Sequence, residues 1–138
     1  MNINIYGSTG IIGIKTLNLL KRYYPEIKIN LLCAKSNINL LLKQIKDFNP
    51  KYVFLSDFNK AKILKSKVNN KTKIINYDDL IKYLESSKST YSILAISGYK
   101  SLYFLEHIIN NSDNVGIASK EAIVSAGHIF KKKKIFCK

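Results

Sequence analysis

Short apolar runs alternate along this chain with longer stretches in which apolar residues recur every three or four positions. The runs at 3–6, 27–33, 52–55, 74–75, 91–96 and 115–118 read as strands. The stretches at 12–22, 40–48, 61–68, 80–84, 102–109 and 122–130 carry the spacing of helices with one apolar face. Turn signals at Pro25, Asn49-Pro50, Asn69-Asn70 and Ser97-Gly98 fall between them. Several of the strands lack polar alternation, so both of their faces must be covered. Strand and helix alternating in this way predict an α/β fold, a mainly parallel, doubly wound sheet with helices on both faces. The pattern shows no internal repeat and no second domain; residues 1–130 form the domain and 131–138 read as a connector.

Composition changes this picture little. With 138 residues, 46% hydrophobic and 23% charged, the chain has the make-up of one folded domain. It begins directly with a strand, without room for a signal peptide, and holds no stretch long and apolar enough for a membrane span. The expectation is a soluble cytoplasmic protein. Cys33 and Cys137 are far apart and have no ligand-spaced neighbours, which predicts neither a disulfide framework nor a bound metal. The net charge of +14 raises a nucleic-acid partner, but the basic residues scatter over nearly every element and only Arg22 among the 23 is arginine. Neither nucleic acid nor membrane is therefore expected as a partner, and the Lys131-Lys132-Lys133-Lys134 run reads as a solvated connector.

Candidate chemistry gathers where strands pass into helices. Gly7-Ser8-Thr9-Gly10-Ile11-Ile12-Gly13 follows the first strand and opens the first helix. Gly7 suits the tight turn, Gly10 the close approach of a pyrophosphate, and Gly13 the packing of helix on strand. The helix N-terminus would offer N–H groups and partial positive charge to the phosphates. In its strand–loop–helix context this reads as a Rossmann-type dinucleotide site, although its glycines stand at three-residue intervals and the plainer reading is a structural turn. At the end of the second strand, Lys35, Ser36 and Asn37 occupy the place where an NAD-specific domain carries an acid. They suit a 2′-phosphate, hence NADPH; equally, Asn37 and Ser36 read as a helix cap and Lys35 as a surface lysine. A third crossing pairs Ser97-Gly98 with Ser119-Lys120-Glu121 at the ends of late strands. There Lys120 could meet a substrate phosphate, while the plainer reading makes Ser119 an N-cap and Glu121 a helix-start acid.

Together the three sites resemble the N-terminal part of the 1-deoxy-D-xylulose 5-phosphate reductoisomerases. The family pattern G-S-T-G-S-I-G is matched by Gly7 to Gly13, and A-N-K-E-S-L-V-x-x-G by Ala118 to Gly127. Between them, Phe48-Asn49-Pro50-Lys51-Tyr52-Val53 resembles F-x-P-x-Y-V. The resemblance implies an NADP-dependent oxidoreductase of the methylerythritol phosphate route to isoprenoids, a homodimer in its complete form. It implies that Thr9, Gly10, Ile11 and Ile12 contact the cofactor phosphates, that Lys35, Ser36 and Asn37 surround the 2′-phosphate, and that Ser119 and Glu121 contact NADPH. Lys120 falls on the position that binds the sugar phosphate. Ile11 stands for a family serine and Ser119 for a family asparagine, departures that bear on cofactor affinity.

The resemblance also implies a following D-S-E-H segment whose acids hold Mg or Mn, and no such acids follow Glu121. No catalytic set is complete in these residues and no metal site is expected. The connector would lead into a missing catalytic domain, and the 138 residues alone are expected to be inactive. The alternatives are the NAD(P)-binding domain of another oxidoreductase, or a noncatalytic nucleotide-binding remnant.

Overall fold

The computed structural model of the chain describes residues 1–98, 102–126 and 135–137. In chain order these form β1 (Asn2–Tyr6), α1 (Ile11–Tyr23), β2 (Lys28–Ala34), α2 (Ile38–Phe48), β3 (Tyr52–Leu55), α3 (Phe58–Lys67), β4 (Lys73–Ile75), α4 (Tyr77–Ser86), β5 (Ser89–Leu94), α5 (Leu102–Asn110), β6 (Ser112–Ile117), α6 (Lys120–Ala126) and β7 (Ile135–Cys137). All strand pairs are parallel, in the order β4-β3-β2-β1-β5-β6-β7.

That order follows from two opposite windings. From β1 the chain steps outward to β4, and Leu17, Leu41, Ile45 and Leu64 of α1, α2 and α3 bury one face of the sheet against Ile5, Leu32 and Val53. It then returns through α4 to place β5 on the other side of β1. Leu80, Leu84, Leu105, Ile108 and Ala122 of α4, α5 and α6 cover the second face, against Tyr6, Leu31, Leu94 and Val115. Alternate residues of β1 to β5 thus serve two cores, which is why these strands read as apolar runs. The loops after β1 and β5 leave the sheet toward opposite faces. In open α/β folds the crevice at such a switch point is the ligand site.

Several boundaries differ from those the pattern predicts, each for a local reason. Helix α3 begins three residues earlier than its apolar spacing because Asp57 accepts from the Lys60 N–H at 3.1 Å. Asn76 caps α4 in the same way, accepting from the Asp79 N–H at 2.8 Å. Strands β5 and β6 start earlier, at Ser89 and Ser112. The buried hydroxyls of Ser89, Ser92 and Ser112 satisfy one another at 2.7–3.1 Å, so polar residues enter the core without unpaired groups. β5 ends at Leu94, two residues sooner than predicted, which releases Ala95 and Ile96 to the sheet edge. Strand β7 lies within the stretch read as a connector and pairs with β6. The predicted continuation of α6 to 130, Gly127 of the second motif and the Lys131–Lys134 run lie outside the described residues. No helix among the described residues is long and apolar enough to cross a membrane.

Candidate functional site

The carboxyl ends of β1, β2, β3 and β5 enclose a cleft of about 530 Å³. Its floor is the glycine-rich loop. Gly7 turns with φ +89°, a left-handed conformation natural to glycine, and a Cβ there would lie 2.7 Å from the Ala95 carbonyl oxygen. The Gly7 and Ser8 N–H groups both donate to the Cys33 carbonyl, at 2.8 and 2.9 Å, tying the loop to β2. A Cβ on Gly13 would run into the Gly7 carbonyl oxygen and the Ser8 backbone, so α1 seats directly on the loop.

Gly10 is different. Its φ of −80° suits any residue, and a Cβ would meet nothing nearer than the Gly7 oxygen at 3.4 Å. The fold does not require glycine here. Gly10 is the N-cap of α1, no side chain caps that helix, and no acidic residue sits in its first turn. The first N–H groups of a helix lack intrahelical acceptors and carry partial positive charge. An open patch of backbone beside such a helix start is a cradle that a side chain would fill and an anion can occupy.

Of the residues singled out from the sequence, Gly7, Thr9, Gly10, Lys35 and Ser97 line this one cleft. Ser8 is fully buried, so its side chain lies beneath the loop. Gly13 is a packing residue, and the Ile11 and Ile12 side chains are exposed at the start of α1. Lys35 and Asn37 are exposed and Ser36 is half-buried, at the end of β2; Asn37 caps α2 by accepting from the Leu40 N–H at 3.1 Å. Both readings of Asn37 are therefore compatible with its position. At the end of β6, Ser119 caps α6, accepting from the Ala122 N–H at 3.3 Å, and donates to Glu121 Oε2 at 2.9 Å. The backbone N–H of Glu121 itself and the Ser119 hydroxyl, then the Gly98 backbone and Lys120, hold the Glu121 carboxyl below its usual range. Through that contact the start of α6 reaches the loop after β5. Lys120 is exposed beside them.

Three features were not legible in the sequence. The cleft has an aromatic wall, Phe54, Tyr103 and Phe104, brought together from β3 and α5, with the Phe54 and Phe104 rings edge to face at 6.5 Å. Asp57 is placed beside Lys35 by its N–H, which donates to the Lys35 carbonyl at 3.0 Å. An acid thus stands near the candidate 2′-phosphate position, but one of its oxygens is engaged at the start of α3. Gln44, buried on α2, donates through Nε2 to the Ser8 carbonyl at 2.8 Å and braces the loop from below. Cys33, also on the cleft floor, is pushed far up by burial and stays a neutral thiol. Among the described residues no group of three or more His, Cys, Asp or Glu could hold a metal ion.

Sheet order, switch-point crevice and glycine-rich loop define a Rossmann-type domain. Comparison with known proteins makes the assignment specific. The family model of 1-deoxy-D-xylulose 5-phosphate reductoisomerase matches residues 3–127, so the chain belongs to that family. The reductoisomerase of Pelagibacter ubique is 38% identical over 136 residues, an alignment covering 94% of this chain and 34% of the relative. That of Thermodesulfovibrio yellowstonii is 33% identical over 129 residues, with the same coverage of each. This chain spans about a third of the length of the curated relatives it matches. In fold it is similar to the Zymomonas mobilis reductoisomerase solved in complex with NADPH, at a TM-score of 0.86 and 24% identity, over 99% of this chain and 38% of that one. A reductoisomerase structure with NADPH, fosmidomycin and magnesium gives a TM-score of 0.84 at 24% identity, over 99% of this chain and 35% of that one. Family membership displaces the alternative of an unrelated NAD(P)-dependent oxidoreductase.

Proposed function

We propose that the chain is the NADPH-binding portion of a 1-deoxy-D-xylulose 5-phosphate reductoisomerase, serving the formation of 2-C-methyl-D-erythritol 4-phosphate in isoprenoid precursor synthesis. The observation that carries this reading is Gly10, a glycine the fold does not need, at an uncapped helix start within the switch-point crevice. The cofactor pyrophosphate lies over Thr9, Gly10 and the first turn of α1, at Ile11 and Ile12, held by backbone N–H groups. Lys35, Ser36 and Asn37 meet the 2′-phosphate with a cation and neutral donors. The nicotinamide extends toward the β5 and β6 ends, where Ser119 and Glu121 border it, and Lys120 faces the sugar phosphate. NADPH, when bound, supplies the hydride for the reduction.

The residues described here orient the dinucleotide; they offer no donor set for the divalent metal the family employs. Cytoplasmic residence and a homodimeric complete enzyme belong to the same proposal, on the strength of family membership. Fluorescence titration of NADPH with the folded chain tests it. A saturable change in nicotinamide emission is expected, and its absence with a fully folded chain overturns the reading.

A further inference from the structure

Beneath the cleft, Ser8 and Gln44 present an arrangement that the fold alone does not explain. Both are buried, at 0% and 5% exposure, yet the Ser8 hydroxyl and the Gln44 Oε1 have no hydrogen-bond partner among the described residues, while Gln44 Nε2 donates to the Ser8 carbonyl at 2.8 Å. Burying a glutamine with half its amide unpaired costs stability. An apolar residue on this face of α2 would avoid that cost but take from the Ser8 carbonyl the donor it has in Gln44.

The benefit lies in the orientation of one peptide plane. In a trans peptide the C=O and the following N–H point in opposite directions. The Ser8 carbonyl is drawn down into the core by Gln44, so the Thr9 N–H is directed up, toward the cleft that Thr9 and Gly10 line. The Gly7 and Ser8 N–H groups are already engaged by the Cys33 carbonyl, which leaves Thr9 as the first loop residue able to aim a donor at a ligand. Were this peptide to turn over, it would present a carbonyl oxygen to the phosphates instead of a donor.

We infer that Gln44 is a positioning residue for cofactor binding, one that never touches the ligand but fixes the Thr9 N–H toward the pyrophosphate. The inference rests on the NADPH-binding reading above. Gln44→Met keeps the length and bulk of the side chain and removes the donor. Gln44→Glu keeps the shape and makes the donor depend on protonation: the acid form can donate to the Ser8 carbonyl, whereas the carboxylate repels it.

The expected result for Gln44→Met is a folded chain with NADPH affinity reduced by about tenfold, the scale of one hydrogen bond's net contribution. For Gln44→Glu, the ratio of its NADP⁺ affinity to that of wild type rises as pH falls from about 8 to about 5; taking the ratio cancels titration of the ligand's own phosphate. In labelled protein, the Ser8 carbonyl carbon and Thr9 amide resonances move in both variants while those of β3 and β4 stay. Wild-type affinity in Gln44→Met, or a ratio flat with pH in Gln44→Glu, overturns the inference; if one variant does not fold, the other decides. A wild-type chain that binds no NADPH overturns the proposed function and the cofactor role of Gln44 with it. The resonances then still report whether the brace exists.

Discussion

Replacing Gly10 by valine separates what the loop does for the fold from what it does for a ligand. The backbone at Gly10 is in an ordinary extended conformation, φ −80° and ψ 169°, and a Cβ there stands 3.4 Å from the Gly7 oxygen and 3.8 Å from the Ala95 oxygen, both normal contacts. The fold therefore loses only the preference for glycine over valine at an N-cap, roughly 1 kcal/mol. That is a fall in Tm of about 3–5 °C for a domain of this size. The ligand loses far more. The valine methyls project about 2.5 Å beyond Cα, into space where a phosphate oxygen must come within about 2.9 Å of a backbone nitrogen. NADPH affinity should fall by at least about a hundredfold, or roughly 2.7 kcal/mol.

Gly13→Ala supplies the contrast, because its Cβ would run into the Gly7 and Ser8 backbone, which cannot rotate aside as a side chain could. Overpacking of this kind costs about 1–3 kcal/mol, so that variant should melt well below Gly10→Val. Thermal unfolding by circular dichroism and calorimetric titration with NADPH measure the two effects separately. If Gly10→Val binds NADPH within about threefold of wild type, the phosphates do not lie over Gly10 and the reasoning fails.

Three further outcomes follow from the same geometry. On the proposed reading Lys35→Glu reverses the charge at the 2′-phosphate, and at about 4 Å in water each sign is worth about 1 kcal/mol, so the preference for NADPH over NADH should narrow by roughly thirtyfold at low salt in paired titrations; an unchanged preference would remove Lys35 from the site. Tyr83→Phe deletes the hydroxyl that donates to Asn4 Oδ1 at 3.1 Å and accepts from Asn30 at 2.6 Å, so chemical denaturation should show a loss of about 1–3 kcal/mol, whereas wild-type stability would mean that water replaces the pair. The 138 residues by themselves should not consume NADPH with 1-deoxy-D-xylulose 5-phosphate and Mg²⁺ or Mn²⁺, and metal-dependent turnover would place the reacting centre within them.

The parts of the fold legible in the sequence are those in which one residue type has one physical reason to be present. Gly7 and Gly13 are such positions, since a turn with positive φ and a helix seated on a loop both exclude a Cβ. The apolar runs made the doubly wound class legible because β1 to β5 each serve two cores. What stayed hidden depends on partners distant in sequence. Ser89 and Ser112 fall outside the predicted strands, and their place is explained only when two strands bring their hydroxyls to that of Ser92. Asp57 reads as an unremarkable acid, and becomes a neighbour of Lys35 only through the pairing of β2 with β3. Gln44 reads as the polar edge of an amphipathic helix. Its role appears only when α2 is packed under the loop. At Asn37 and Ser119 the capping signal was legible and is present, but a cap and a ligand contact use the same side chains, so the pattern could not separate the two.

The central claim is a dinucleotide site built for a 2′-phosphate, and one calorimeter comparison tests it most directly: NADPH and NADH titrated into the same preparation of wild-type chain, at one pH and one salt concentration. The two ligands differ only in the 2′-phosphate, so the difference isolates the Lys35, Ser36 and Asn37 corner from the loop. The account predicts single-site binding of both with NADPH tighter by about tenfold or more, about 1.4 kcal/mol. Equal affinities, or tighter binding of NADH, would contradict it.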